Sequence, residues 1–484
     1  MSVARRVDVI VIGSGAAGLA AAVSAAEKDL KVVVLEKEAR LGGTTMWSVG
    51  SLTASNSALQ RKAGIVDEDP DAFAQDMVAF RPELLRDDAP QLRRLYARES
   101  GATVDWLLGL GVSFAGPYLE PPHRIPRMHN VIPGSRAYVD RLARAARRLG
   151  VVILRDARVV RVSPGSAPSV VVADSSGVER QLTAVRGVVL ATGDFSANRT
   201  MRMEHLDDDA APAQPINPHA DGSGHELAAT VGAELRGMNI TFGPQLRFPE
   251  PPRPGLISRL PTWPWLTRIE AAVVQHLPPG ALRPFVKSLL ITHMSPTPEL
   301  FTEGAVLINT SGKRFCNEIE SVTQLSHQPQ GKGFIVLDER IGTRFDTSAA
   351  ISTAPGIAFA HLSDYRRGRP DLVHTAPEAT ALAFKLGVPA GALASTVEQS
   401  SLEGGLIALG PLYSMITVTE GSIRIDDELR VLDTTGSPLP GLYAVGGVGQ
   451  GGMLLLGHGH HIGWALTSGR FLGCQLAASG ASEV

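Results

Sequence analysis

Three groups of residues have types and spacings suited to chemistry. The first is Gly13, Gly15 and Gly18 in VIGSGAAGLAAA, a G-x-G-x-x-G spacing. Such glycines permit a tight turn, let a pyrophosphate approach the backbone and allow a helix to pack closely on a strand. Ser14, Ala16 and Ala17 complete that cradle. The second group is His458, His460 and His461, set among glycines in GHGHHIG. Imidazole titrates near neutrality and suits proton transfer. Metal ligation is the competing use, and the glycine-rich surroundings at a helix start argue against it. The third is Gly111–Gly134, a proline-rich stretch with Tyr118, His123, Arg124 and His129, and with Arg136 just beyond. Read as an irregular loop, it has the length and side chains of a site wall.

The elements that must position these groups follow from the apolar pattern. Val7, Val9, Ile10, Val11 and Ile12 form an apolar run, expected to be a strand covered on both faces. A second strand, Lys31–Leu35, ends in Glu36, placed to accept a ribose diol, with Lys37 next to it. The loop that follows carries Gly42, Gly43, Thr44, Thr45, Ser48 and Gly50. Glycines and hydroxyls directly after a ribose-binding strand favour FAD over NAD. Asp67–Gly111 reads as helical from Asp69-Pro70, and Tyr138–Leu149 as a further helix. Val151–Leu154, Arg158–Val162 (with Val159 on the cofactor side) and Val170–Ala173 read as strands, the later ones forming a small antiparallel unit. Val188–Leu190 returns to the parallel sheet, and Ala191, Thr192 and Gly193 close near the cofactor. Asp221 opens a helix running to Gly232, as its cap or as a cofactor contact. Near the end, Gly446-Gly447 and the helix Ile462–Gln475 suit the O2–N1 edge of a flavin, where helix N–H groups, Ile462 among them, would stabilise negative charge.

The 484 residues exceed one compact core. The expected fold is α/β: a Rossmann-like FAD-binding domain with a parallel sheet and a small antiparallel unit, plus an inserted α+β capping domain. The expected boundaries are 1–237 and 404–484 for the FAD-binding parts and 238–403 for the insertion. Within it Leu246–Pro298 is proline-rich, Trp263 and Trp265 bracket Pro264, and Leu266–Leu277 and Ala281–Ile291 read as short amphipathic helices. A substrate mouth, a dimer face and a peripheral membrane contact all fit that patch. A net charge of −2 provides no field for nucleic acid. Cys316 and Cys474 are far apart, so no disulfide framework is expected. No signal peptide or spanning helix is read, and the expectation is a cytoplasmic protein.

In this order, GSGAAGLAAA, LEKEARLGGTTMWSVGS, VVLATGDF, INTSGKRFCNE, PLPGLYAVGG and GHGHHIGWALTSGR resemble the flavoprotein family of soluble fumarate reductases and 3-ketosteroid dehydrogenases. The family's dicarboxylate-handling groups do not recur: Val322 stands at the expected arginine, Thr419-Glu-Gly-Ser-Ile replaces a histidine-led segment, and Leu456-Gly457-His458-Gly459 replaces an arginine motif. The ketosteroid dehydrogenase branch is the nearer likeness, through Gly42–Thr45, Gly410-Pro-Leu-Tyr413 and Gly457–Gly463. That resemblance implies that Tyr413 and the Gly457 N–H bind a ketone oxygen. Tyr118 resembles the tyrosine near the start of that family's site, and the base tyrosine falls at Val322. With the usual base absent, Tyr118 or His458 is the expected proton acceptor. The implied activity is desaturation α,β to a ketone in an alicyclic or steroid-type ring, with non-covalent FAD taking hydride at N5; the rival is reduction of an activated alkene. The implied partner is a small ketone, with oxygen, a quinone or a carrier protein left open as electron acceptor.

Overall fold

A computed structural model describes residues 6–66, 68–87, 89–251, 260–276, 295–318, 322–348, 351–352 and 359–478. In chain order, β1 (Arg6–Ile12) feeds α1 (Ala16–Ala26) and β2 (Val32–Leu35), and β3 (Ser51–Thr53) follows the glycine loop. Helices α2 (Pro70–Val78) and α3 (Pro90–Gly109) lead to the hairpin β4 (Ser113–Tyr118) and β5 (Met128–Ile132). Next come α4 (Arg136–Arg148), β6 (Val152–Leu154), β7 (Arg158–Ser163), β8 (Ser169–Ala173) and β9 (Glu179–Leu190). After α5 (Ser223–Ala229) and α6 (Pro264–His276) lie β10 (Val306–Asn309), β11 (Lys332–Asp338), β12 (Val373–Ala376) and β13 (Leu406–Ile416). The chain finishes with β14 (Arg430–Leu432), β15 (Pro438–Ala444) and α7 (His460–Ala478).

The first sheet runs β14-β15-β9-β1-β2-β6, with β8 on β9 and β7 on β8. From β15 to β6 every ladder is parallel. Parallel strands covered on both faces need unbroken apolar runs, which Val9–Ile12 and Val32–Leu35 supply. α1 is buried along its whole length. α7 lies so close to it that a Cβ at Gly469 or Gly473 would overlap the carbonyls of Ala17 or Ala21. The α/β parallel core and the β7–β8–β9 antiparallel unit are as expected from sequence.

The second sheet is centred on β13, which pairs antiparallel with β11, β12 and Gln245–Arg247. β13 also meets Gln214–Pro215 in parallel. Its apolar core is separate from that of the first sheet. This sheet therefore draws strands from outside residues 238–403.

Three local expectations are corrected. Asp67–Gly111 is two helices, because Pro82 and Pro90 interrupt it and a 3-10 turn (Pro82–Asp87) intervenes. Gly111–Gly134 is largely the β4–β5 hairpin rather than irregular; Pro117 lies within the register shift between Ala115 and Tyr118. The helix expected from His219 begins at Ser223 with the left-handed Gly222 at the cap position, and Asp221, one residue earlier, accepts from Ser223 N at 3.1 Å. Leu266–Leu277 corresponds to α6, whereas Ala281–Ile291 lies outside the described residues. Among the described residues no helix is long and apolar enough to cross a membrane.

Candidate active site and cofactor cradle

The strand–turn–helix at Gly13–Gly18 divides its glycines by task. A Cβ on Gly18 would overlap Gly13 O, and one on Gly13 would overlap Ala191 O, so both positions are closed by packing. A Cβ on Gly15 would meet nothing closer than 3.9 Å. Gly43 and Gly193 are similarly open, at 3.8 and 4.0 Å. Gly15 and Gly43 lie beside each other where the first turn meets the 42–45 loop, and Gly193 lies beside Thr44 of the same loop. Gly15 caps α1 without a side-chain hydrogen bond of its own, and beyond Ala16, whose N–H goes to Thr45, the first turn keeps N–H groups that suit a phosphate. Backbone room and N–H donors together fit a flavin dinucleotide.

Glu36 is buried and accepts from Ser14 N (2.9 Å), Ser14 Oγ (2.5 Å) and Glu38 N (2.9 Å). Its carboxylate holds the phosphate turn in place, and two oxygens with several lone pairs retain capacity for a ribose hydroxyl. Lys37 Nζ pairs with Asp221 Oδ1 (2.6 Å) and donates to His219 O (2.7 Å). Arg158 reaches the other Asp221 oxygen at 3.1 Å. Burial raises the Asp221 pKa, but Lys37 outweighs it and the carboxyl is pulled down to about 2. Asp221 and Lys37 thus tie the segment ahead of α5 to β2 and β7. Val159 is buried in β7 opposite Val172.

In the loop, Thr45 Oγ1 accepts from Ala16 N (3.0 Å), and Ser14 Oγ accepts from Gly42 N (3.2 Å). Thr44 accepts from Asn217 (2.9 Å) and faces Asp194 (3.4 Å). Ser48 accepts from Gly50 N, and the buried Tyr138 hydroxyl donates to Gly50 O (2.8 Å). Gly446 N donates to Ser468 Oγ in α7, and Gly447 lies beside Gly193. Thr192 Oγ1 is buried with no hydrogen-bond partner among the described residues, next in sequence to Gly193. Ile462 sits in the first turn of α7. The sequence-predicted cofactor residues from both ends of the chain thus converge around the parallel sheet.

The segment 457–461 is fixed from several sides. β3 grips its backbone: Thr53 Oγ1 donates to His458 O (2.6 Å) and Thr53 N to Gly459 O (3.2 Å). Glu120 accepts from His458 at Nδ1 (2.5 Å) and at the backbone N–H (3.2 Å). His460 meets His123 through Nε2 atoms 2.9 Å apart. His461 Nε2 donates to the buried Glu420 at 2.7 Å. His458 and His460 are both held by the loop between β4 and β5 and His461 by Glu420, and among the described residues no group of acids, histidines and cysteines has the geometry of a metal site.

The charges differ among them. Burial depresses His460 well below the ordinary imidazole value and takes His123 to about 3, so both are neutral. Burial also opposes charge on His461, but the Glu420 carboxylate prevails and raises its pKa. His461, in the first turn of α7, therefore keeps its second proton to a higher pH than an ordinary histidine. Glu420, buried, is correspondingly lowered despite desolvation, and Gln450 Nε2 donates to it at 2.6 Å.

Not every expected group is gathered here. The Gly457 N–H, expected to meet a substrate oxygen, donates to His460 Nδ1 at 3.2 Å. Tyr413 is half-buried on β13, flanked by Arg247 and Lys332 on neighbouring strands. Burial pulls Arg247 down to about 10. Tyr118 is 38% exposed at the end of β4, two residues before Glu120, and burial of its inner part raises the phenol. No hydrogen bond among the described residues joins either tyrosine to the 457–461 segment. Val322 opens a 3-10 turn, Val322–His327. Sequence reasoning missed Glu420, the acid Glu120 as a partner of His458, and Arg247. Only Glu120 carried a signal, its adjacency to Tyr118.

A family model described as "FAD binding domain" matches residues 8–261 and 270–456. The urocanate reductase of Eggerthella lenta is 25% identical over 91% of this chain and 69% of its own length. The 4-oxocyclohexanecarboxylate 2-dehydrogenase of Sinomonas cyclohexanicum is 25% identical over 98% of this chain and 93% of its own. In fold, the chain is similar to an open flavocytochrome c3 fumarate reductase (TM-score 0.72, 21% identity, 98% of this chain and 78% of that one). It is also similar to the 3-ketosteroid Δ1-dehydrogenase of Sterolibacterium denitrificans (TM-score 0.65, 17% identity, 98% and 100%).

Proposed function

The chain belongs to the FAD binding domain family and is an FAD-dependent oxidoreductase, and we propose that it introduces a C=C bond α,β to the ketone of an alicyclic ring. The observation that carries this reading is the Glu120–His458 contact at 2.5 Å, next to Gly457 at the start of α7. With Nδ1–H donated to the carboxylate, the basic lone pair of His458 lies on Nε2. Glu120 both orients the ring and stabilises the imidazolium that forms when it takes the α-proton. This pair supplies the base that the resemblance lost at Val322.

Tyr413 donates to the ketone oxygen and carries the developing enolate charge, a contribution of about 3 kcal/mol to the barrier for one well-placed donor. Tyr118, exposed at the rim, contacts the ring of the entering substrate. When bound, FAD supplies the two-electron acceptor that takes hydride from the β-carbon. The 4-oxocyclohexanecarboxylate dehydrogenase is similar over nearly the whole of both chains, which supports a single cyclohexanone-type ring as substrate.

The likeness to a urocanate reductase supports a second reading, in which the same site reduces an activated alkene and His458 returns the proton. Anaerobic mixing separates them. Loss of flavin absorbance with 4-oxocyclohexanecarboxylate or cyclohexanone supports desaturation. Reoxidation of chemically reduced protein by an enone, with no bleaching by the ketones, replaces it with the reductase reading. Glu120→Gln and Tyr413→Phe should each slow flavin reduction by about a hundredfold while FAD stays bound. An unchanged rate in either removes that residue from the mechanism.

A further inference from the structure

Away from the cofactor, α4 and α6 share an outer face. The inner side of α6 packs Ala271 and Val274 on Ala115 and Ile132, and Thr267 is hydrogen-bonded to Ser113 at 2.9 Å. The opposite side carries Trp265, Ile269 and Val273 at four-residue spacing, 58%, 55% and 45% exposed. Trp263, also exposed, stacks on Trp265 with ring centroids 5.9 Å apart. A helix of a water-soluble protein turns its apolar stripe toward the core, and this one has a second stripe turned outward.

Beside the tryptophans lies a cleft of about 350 Å³, lined by Arg141, Arg144, Arg148 and Arg268 and by Pro264, which sits between Trp263 and Trp265. Arg144, Arg148 and Arg268 are exposed. Glu27 is the one acid among the lining residues, and it already accepts from Trp106 Nε1 at 3.2 and 3.1 Å. Arg141 donates twice to Leu110 O, and burial together with the charges of Arg144 and Arg148 lowers its pKa. Like charges are therefore crowded here around a space of headgroup size.

We propose that this face docks on an anionic lipid bilayer, with Trp263, Trp265, Ile269 and Val273 in the interfacial layer and the arginine cleft around lipid phosphates. An apolar patch alone binds weakly, and the adjacent cationic patch supplies the second signal that stable, reversible attachment needs. The charge of the cleft selects the occupant: a second copy of the chain would bring the same arginines against one another only at a cost. Indole rings suit the interfacial zone because they are apolar in body and donate one hydrogen bond.

The test uses the full FAD-loaded chain and sedimentation with vesicles of mixed phosphatidylglycerol and phosphatidylcholine, against phosphatidylcholine alone. The expected result is partition onto the mixed vesicles, lost at high salt, with a blue shift of tryptophan emission. Arg144→Glu with Arg148→Glu should weaken partition by about thirtyfold or more, and Trp263→Ser with Trp265→Ser should abolish the blue shift. The flavin spectrum reports that each variant is folded, and Arg144→Gln with Arg148→Gln substitutes, with a smaller drop, if the reversals disturb α4. Absence of partition onto mixed vesicles at low salt overturns the proposal, as does equal partition onto neutral vesicles. A tryptophan-dependent dimer of the lipid-free protein, seen by light scattering, also overturns it, because a second copy would then cover the face.

Discussion

His123 Nε2 and His460 Nε2 face each other 2.9 Å apart, in residues that are 3% and 1% exposed. Arg127 donates to His123 Nδ1 at 3.0 Å, and the Gly457 N–H donates to His460 Nδ1 at 3.2 Å. A neutral imidazole offers one donor and one acceptor. With both Nδ1 atoms accepting, both Nε2 atoms would carry protons and meet head to head. Relief requires one ring to change tautomer, and the longest of these bonds, that from Gly457, is the one to release. A cyclic ketone or a phenol bound at the site should therefore capture the Gly457 N–H and leave His460 protonated at Nδ1. Nitrogen-15 shifts of labelled histidine, with and without the ligand, read this directly; an unchanged His460 would mean that Gly457 stays with it.

The buried histidines also set an acid limit. Burial takes His123 from 6.5 to about 3 and His129 to about 4. Below the ordinary value the unfolded chain binds protons that the native rings refuse, so stability falls as pH drops from 6.5 toward those values. Above 6.5 the two groups contribute no slope. His129→Gln should flatten the acid-side dependence of urea unfolding by about 1.4 kcal/mol per pH unit. An identical slope in the variant would show that His129 titrates normally in the fold.

Gly15 and Gly18 predict opposite failures. Alanine at Gly18 collides with the Gly13 carbonyl and should destabilise the fold by about 1–3 kcal/mol. Alanine at Gly15 finds 3.9 Å of room in the protein itself, and its methyl occupies the space left for phosphate. The expected outcome for Gly15→Ala is an intact apoprotein with weakened FAD binding, checked by circular dichroism beside a flavin titration. Equal FAD affinity would place the pyrophosphate elsewhere.

Buried Glu420 holds the half-buried His461 at 2.7 Å, and losing that contact should be costly. Glu420→Ala removes the acceptor of the His461 N–H and should cost about 1.5–3 kcal/mol. Because the folded His461 pKa is raised, its contribution is fully present below the ordinary histidine value and fades as pH rises through the folded one. Glu420→Gln should bring the His461 titration down, seen by NMR, and remove the decline of stability on the basic side. A His461 titration that stays raised would show that another acid supports it.

The nucleotide fold was legible because its signals are local: apolar runs at Val9–Ile12 and Val32–Leu35, and glycines at fixed offsets between them. β13 was not, since Gly410-Pro411 breaks the run LIALGPLYSMI. In the fold the break lies where the register against β11 shifts between Gly333 and Ile335, so a residue without an N–H costs the ladder little. The same reason hid β4. Glu420 was invisible for a different cause: its partner His461 lies 41 positions away, and a lone acid between threonine and glycine has no pattern. The Glu120–His458 pair spans 338 positions and likewise becomes visible only when β3 brings the segments together.

α1 rests on α7, and Thr53 holds the backbone of His458 and Gly459. On the ribosome these partners are separated by more than four hundred residues of synthesis. Throughout that interval the side of α1 that meets α7 is uncovered, although β1, β2 and α4 already pack on its other sides, and neither the flavin cradle nor the histidine segment is closed. Contacts of such long sequence separation form late and expose the chain to aggregation meanwhile. The cradle and the histidine segment are therefore completed only when α7, the last element of the chain, has been made.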